Sequence, residues 1–232
     1  EERRRGEEAG GLGRLMSRLR RCCVRPPRRF TAGLKAMHGI ALLLCMAAAQ
    51  AVSAYTPQDG DIVFHTSTSS QSAAVQAATG SRYSHMGVVL LRGGEAYVME
   101  AVQPVRYTPL QAWLDRGAQR RYVIKRPSRP LTSANKTRMH AAATRYVGRP
   151  YDLSFEWSDQ RIYCSELVWK LYRDAAGIEL APLARLDSFN LQSPVVRSKL
   201  RERYGNHVPL AEPVISPAAI FASPLLVTVD QR

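Results

Sequence analysis

Cysteine is scarce in this chain. It has 4 in 232 residues, and Cys22, Cys23 and Cys45 all fall in the first fifth, which leaves Cys164 alone in the remainder. One thiol cannot build a disulfide framework, so a small cystine-stapled scaffold is excluded. Long apolar runs are lacking too: Ile40 to Ala49 is too short to span a bilayer, which excludes a polytopic membrane protein. No pair of His, Asp or Glu residues has metal-ligand spacing, and no glycine-rich phosphate loop occurs. The aromatics do not alternate with basic residues as a nucleic-acid platform would. No metal, cofactor or nucleic-acid partner is therefore expected. There is no internal repeat and no low-complexity linker. What remains is 45% hydrophobic and 8% aromatic residues, enough to give one domain a real core and to exclude disorder or a fibrous repeat.

Acidic residues are also few, 19 against 33 basic ones, for a formal net charge of +14. The excess is uneven. The first 54 residues carry 11 of the basic and 4 of the acidic residues, so the rest of the chain has a net charge of +7. Residues 1–36 repeat arginine (Arg3 to Arg5, Arg18 to Arg21, Arg28-Arg29) without a sustained apolar period. They read as a basic leader or as upstream translation; as a tail, such a block would gather phosphates of any sequence. Residues 37–54 have the layout of an export signal: Lys35 and His38 flank the apolar run, and Val52-Ser53-Ala54 supplies the small residues of a cleavage site. The alternatives are a single anchor or a buried helix. An exported chain would begin near Tyr55, so residues 55–232 form the expected domain and the location is periplasmic or secreted. In an oxidising compartment the lone Cys164 is either buried and inert or kept for its reactivity.

Along 55–232, Pro57-Gln58-Asp59-Gly60 reads as a turn and Asp61 to His65 as a short strand. Ser72 to Thr79 is Ala-rich and stopped by Gly80, as a short helix would be. Met86 to Leu91 and Ala96 to Val102 are strand-like runs around Gly93-Gly94, a hairpin signal. Tyr122 to Lys125 reads as a strand, and Ser133 to Val147 as a helix with Ser133 at its N-cap and Gly148-Arg149-Pro150 at its end. After Ala181 the sequence offers prolines and short apolar pieces.

The hairpin fixes a register. With the turn closed on Gly93-Gly94, Gly87 faces Glu100, and His85, two residues earlier, lies on the same face and diagonal to it. Diagonal Cα atoms are about 7–8 Å apart, within reach for long side chains. An odd-numbered loop would put the two on opposite faces. Taken alone, a surface His beside a strand-end Glu is the plainer reading. Beyond Cys164, Leu167, Val168, Leu171, Tyr172, Ala175 and Ala176 recur at helical spacing and Gly177 is placed to end the helix. The thiol then sits in the first turn on the packed side, where unpaired N–H groups favour a thiolate. His85 and Glu100 would supply the base and its orienting group if the helix start packs against the open face of the hairpin.

These residues carry a resemblance. Val147-Gly148-Arg149-Pro150-Tyr151-Asp152, Phe155-Glu156-Trp157-Ser158-Asp159 and Ile162-Tyr163-Cys164-Ser165-Glu166-Leu167-Val168-Trp169 resemble the YiiX-type branch of the NlpC-like cysteine hydrolases. So do Asp59-Gly60-Asp61-Ile62-Val63-Phe64 and Tyr83-Ser84-His85-Met86-Gly87-Val88-Val89, in the same order over nearly all of 55–232. The resemblance implies an α+β, circularly permuted papain-like fold, a small antiparallel sheet or barrel packed on helices, with the catalytic Cys at a helix N-terminus. It maps the family's Cys, His and acidic residue onto Cys164, His85 and Glu100. It further implies a thiol hydrolase that cleaves an amide bond in a cell-wall peptide or a related lysine-containing amide. The rival classes are a lipid acyl hydrolase or acyltransferase with the same triad, and a non-catalytic binding module. The partner is then a small peptide or amide. The charge of +7 also suits peripheral contact with an anionic wall polymer or membrane, though it equally serves solubility.

Other residues have two readings each. Tyr163 either orients or hydrogen-bonds near the thiol or simply packs. Asp152 either lines the cleft or caps the chain after Pro150, and it is the first alternative to Glu100 as third member. Glu166 complements the helix dipole. His65, His140 and His207 are alternative bases in principle, of which only His65 is near a strand end. The oxyanion is expected at backbone N–H groups of the Cys164 helix start.

Overall fold

The dense apolar run after Asp61 forms β1 (Ile62–His65), buried throughout, in a computed structural model that describes residues 55–232. The expected leader (1–36) and export signal (37–54) lie outside those residues. The chain continues as α1 (Ser72–Thr79), β2 (His85–Arg92), β3 (Glu95–Glu100), β4 (Arg106–Pro109), α2 (Leu110–Arg116), β5 (Tyr122–Pro127) and α3 (Ser133–Tyr146). Then come α4 (Cys164–Ala176), β6 (Ala184–Arg185), α5 (Pro194–Tyr204), β7 (Pro213–Val214), α6 (Pro217–Phe221) and β8 (Leu226–Gln231). Six strands pair in the order β4-β3-β2-β1-β5-β8, all antiparallel, and β6 pairs with β7. The mixed helices and antiparallel sheet make the α+β architecture expected from the sequence.

Glycines end elements where the sequence reading put them. Gly80 closes α1 and Gly177 closes α4 in left-handed conformations, φ 65° and 67°. Gly93 and Gly94 take φ 61° and 87°, the two positive values that a tight two-residue hairpin requires. The resulting β2–β3 register sets Val88 opposite Met99 and Arg92 opposite Glu95.

Two boundaries differ from expectation. Thr132, not Ser133, caps α3: its side chain accepts a hydrogen bond from Asn135 N, while Ser133 is already the first helical residue. The strands of the hairpin begin at His85 and end at Glu100, which puts both residues at strand termini. The prolyl tail holds more order than its composition suggests. β8 completes the sheet beside β5, and Pro194 and Pro217 each stand in a first helical turn, where a missing N–H costs nothing.

Alternation along the strands divides the core. Ile62, Phe64, Met86, Val88, Leu90, Met99 and Val123 pack in one cluster with residues of α3, α4 and α6. Val63, Val89, Val98 and Ile124 face the other way, onto Leu110, Trp113 and Leu114 of α2. His85 and Glu100 share the parity of this second face.

Candidate active site

Strand parity fixes the acidic half of the site. Glu100, the last residue of β3, has a buried side chain (0% exposed), and its Oε2 lies 2.7 Å from His85 Nε2. The side chains meet on the α2 face of the sheet. Opposite them, Gly87 leaves the needed room: a Cβ there would sit 2.4 Å from Val98 Cγ1 and 3.3 Å from Glu100 Cβ. The other flank repeats the geometry. β4 sets Arg106 opposite Glu100 and Thr108 opposite Val98, so Thr108 is the second diagonal neighbour, and its hydroxyl donates to Glu100 Oε1 at 2.7 Å.

Helix α2 supplies two more donors from one face. Trp113 Nε1 donates to Glu100 Oε2 at 2.9 Å and Arg116 Nη2 at 2.5 Å. Burial pushes the Glu100 carboxyl up, but the hydrogen bond and charge of His85, with the bonds from Arg116 and Thr108, hold it well below the usual carboxylate range. A carboxylate with four donors is fixed in place and fixed in charge.

The nucleophile candidate arrives from the other layer. The body of α4 packs in the cluster of Met86 and Val88, on the sheet face away from α2, so the helix start alone is left to approach His85. Its first residue, Cys164, comes to His85, which is itself the first residue of β2. Burial opposes charge on His85, yet hydrogen bonds with the Cys164 thiol and with Glu100 lift its pKa to about 9. Because Glu100 occupies Nε2, Nδ1 is the nitrogen left for the thiol. Cys164 is 4% exposed, and it is the one free cysteine among the described residues. Its position at the first residue of α4 puts it among N–H groups that have no partner within the helix.

Tyr163 and Glu166 hold the start of α4. Tyr163 is buried, its hydroxyl accepts from Ile215 N at 3.1 Å, and its ring packs edge-on against Phe155. Glu166 accepts from Tyr163 N at 3.3 Å and pairs with Lys170 at 2.8 Å. Burial raises its carboxyl to about 7 against the pull of that lysine. Asp152 is also buried; its Oδ1 accepts from Ser154 N at 2.7 Å, which stabilises the turn after Pro150, and burial raises its pKa. The contact with His85 belongs to Glu100.

Several residues of the site carry no motif signal. Thr108, Trp113 and Arg116 lie on β4 and α2, elements too short to be read from periodicity, although Trp113 and Arg116 are correctly spaced to share a helical face. His65 pairs with His85 across β1 and β2 and stacks on Trp113 with centroids 4.0 Å apart. Its Nδ1 is buried without a hydrogen-bond partner. Burial, with the charges of His85 and Arg116, pulls its pKa down to about 3. His140 instead meets Asp59 at 3.0 Å, away from the cluster.

Comparison with known proteins places the chain in a family. A family model described as "permuted papain-like amidase enzyme, YaeF/YiiX, C92 family" matches residues 56–230. An uncharacterized protein, YiiX of Escherichia coli K12, is 46% identical over 191 residues, 82% of this chain and 95% of the relative. The crystal structure of the metalloprotein YiiX from Escherichia coli O157:H7 superposes with a TM-score of 0.75 at 47% identity, covering 77% of this chain and 99% of that one.

Proposed function

This chain belongs to the permuted papain-like amidase family, a family of cysteine hydrolases, and within it we propose that the protein is an exported thiol amidase with Cys164 as nucleophile, His85 as base and acid, and Glu100 as the orienting carboxylate. His85 Nδ1 takes the proton of Cys164. The thiolate attacks the amide carbonyl carbon, and first-turn N–H groups of α4 meet the developing oxyanion. The C–N bond breaks as the His85 imidazolium gives its proton to the leaving amine, which leaves a thioester on Cys164. A water then loses a proton to His85, attacks the thioester carbonyl and releases the acid and the free thiol. Glu100 keeps the imidazole in the right tautomer and stabilises its charge.

The observation that carries this reading is the 2.7 Å contact between His85 and a Glu100 held as a carboxylate, with Cys164 beside the same imidazole. Intact-mass measurement after incubation with an amide-derived activity probe tests it. One adduct on the native chain and none on Cys164→Ser is expected; a native chain that stays unlabelled while folded sinks it. Export rests on the layout of residues 37–54, and a secreted form beginning near Tyr55 is its check. A mature chain that still carries residues before Met37 overturns it.

The solved relative is described as a metalloprotein. In this chain Oε2 of Glu100 already accepts from Trp113 and Arg116 besides its contact with His85, so a cation would have to displace a guanidinium. Among the described residues no three His, Cys, Asp or Glu side chains are grouped to hold a metal. The described residues of the site do not fit a metal centre.

A further inference from the structure

The proposed reaction uses one imidazole, and the sheet sets a second beside it. His65, the last residue of β1, is the cross-strand partner of His85. It is 1% exposed, stacks on Trp113 at 4.0 Å, and lies 5.3 Å from the His85 ring, centroid to centroid, at a tilt of 33°. Its Nδ1 has no hydrogen-bond partner among the described residues. A phenylalanine would fill the same stack without burying unpaired nitrogen, which costs free energy. The imidazole here therefore points to a ligand that can give it a hydrogen bond.

Gly117 closes one edge of that ring. A Cβ there would sit 2.9 Å from His65 Cβ and 3.0 Å from Nδ1, which leaves the Nε2 edge for a ligand. His65 and His85 together line a cavity of about 1160 Å³, with Ser67, Ser69, Gln103 and Arg116 around it. The leaving amine takes its proton from His85 and departs on this side, so water follows through the same space. His65 stays neutral there: burial, then the charges of His85 and Arg116, pull its pKa to about 3 against the opposing charge of Glu100. A neutral ring of that kind accepts a hydrogen bond and takes no proton, so it does not compete with His85 as the base. Rings 5.3 Å apart leave room for one water between them, held by two contacts of about 2.8 Å.

We propose that His65 is a catalytic residue of deacylation alone, holding the hydrolytic water against His85. One O–H of that water donates to His85 Nδ1 and the other to His65 Nε2, which leaves an oxygen lone pair for the thioester carbonyl carbon. As the O–C bond forms, the first proton passes to His85. The C–S bond then breaks with its electron pair on Sγ, the proton on His85 goes to that sulfur, and the carboxylic acid leaves with the free thiol restored. The bond to His65 forms and breaks without proton transfer. During acylation the amine of the substrate occupies this place, so the second imidazole acts only once the amine has gone. The assignment rests on the thiol-amidase reading and adds a residue to its second half.

The test separates the two steps on the full chain with p-nitrophenyl acetate, an activated ester that acylates thiols readily. His65→Phe keeps a ring on Trp113 and removes both nitrogens. The expected result is a burst of p-nitrophenol at a rate within a few-fold of native, then a steady state slower by roughly ten- to a hundredfold, with acetylated Cys164 accumulating in the intact mass. His65→Gln, whose side-chain carbonyl can accept from the water, should recover part of the steady-state rate. A packing role would not give this split, because a displaced His85 slows the burst as well. If His65→Phe fails to fold, as read by circular dichroism, His65→Leu supplies the nitrogen-free variant. A native steady state in the nitrogen-free variant, or a burst that slows in step with the steady state, overturns the proposal and leaves the amidase reading standing. A native chain in which Cys164 is never acetylated overturns both.

Discussion

Glu100 and Thr108 meet at 2.7 Å as diagonal neighbours on β3 and β4, and this is the same diagonal that joins Glu100 to His85 across β2 and β3. One carboxylate is thus gripped from both adjacent strands, and α2 closes over it with Trp113 and Arg116. Orientation of the imidazole is consequently a property of the sheet register, which a one-residue slip would destroy.

Glu100→Gln should fold and lose turnover. An amide can keep one hydrogen bond to His85 but cannot stabilise its positive charge, so kcat is expected to drop by about 10²- to 10⁴-fold, with circular dichroism unchanged. Glu100→Ala should be worse in rate and also less stable, because it leaves the buried donors of Trp113 and Thr108 unpaired. Full activity in Glu100→Ala would remove Glu100 from the mechanism and return attention to Asp152.

The pH profile follows from His85. Its pKa is raised from 6.5 to about 9, so the imidazolium that protonates the leaving amine survives to that pH. The basic limb of kcat/KM should fall near 9 and move to lower pH in Glu100→Gln, which loses one source of the rise. The stability linked to this proton has the sign of a raised pKa: it is complete below about 6.5 and disappears as pH rises through 9. The melting-temperature gap between the native chain and Glu100→Gln should narrow over that window; a gap independent of pH would contradict the assignment.

His65 titrates the opposite way. Its pKa is lowered from 6.5 to about 3, so below 6.5 the unfolded chain binds a proton that the folded one refuses. Stability is therefore intact above 6.5 and lost as pH falls toward 3. One such group contributes about 1.4 kcal/mol per pH unit, or about 2 kcal/mol at pH 5. His65→Phe keeps an aromatic ring for Trp113 to stack on and removes the titration. Denaturation at pH 5 and pH 7 should show a smaller acid loss in that variant, and an equal loss would show that His65 is not the group responsible.

Legibility from sequence tracked how local the determining physics was. The α4 face, its stop at Gly177 and the β2–β3 register are set within a few residues of each other, so spacing and a Gly-Gly turn sufficed to bring His85 and Glu100 together and to place Cys164 in a first turn. The approach of Cys164 to His85 is not local. α4 packs on the sheet face opposite to His85 and touches it only at the strand end, an arrangement that no periodicity encodes. Arg116 and Trp113 escaped because α2 spans seven residues, and Thr108 because β4 is short and ends in proline. β8 reads as one more short apolar piece in a tail until β5 is there to pair with it.

Tyr163 separates tethering from orientation. Its hydroxyl accepts from Ile215 N at 3.1 Å, and Ile215 is buried beside Ser216 and Pro217, which leads into α6. The tyrosine thus ties the start of α4 to the segment that leads into α6. Tyr163→Phe keeps the ring and its edge-on contact with Phe155 but leaves the Ile215 N–H unpaired in a buried place, which costs about 1–3 kcal/mol. A lower melting temperature is expected, together with kcat for an amide substrate within a few-fold of native, because the hydroxyl is engaged by Ile215 N and not by the thiol. If instead kcat fell more than tenfold with the melting temperature unchanged, the hydroxyl would be acting on the thiol or on the oxyanion, and Tyr163 would join the residues that position the reaction.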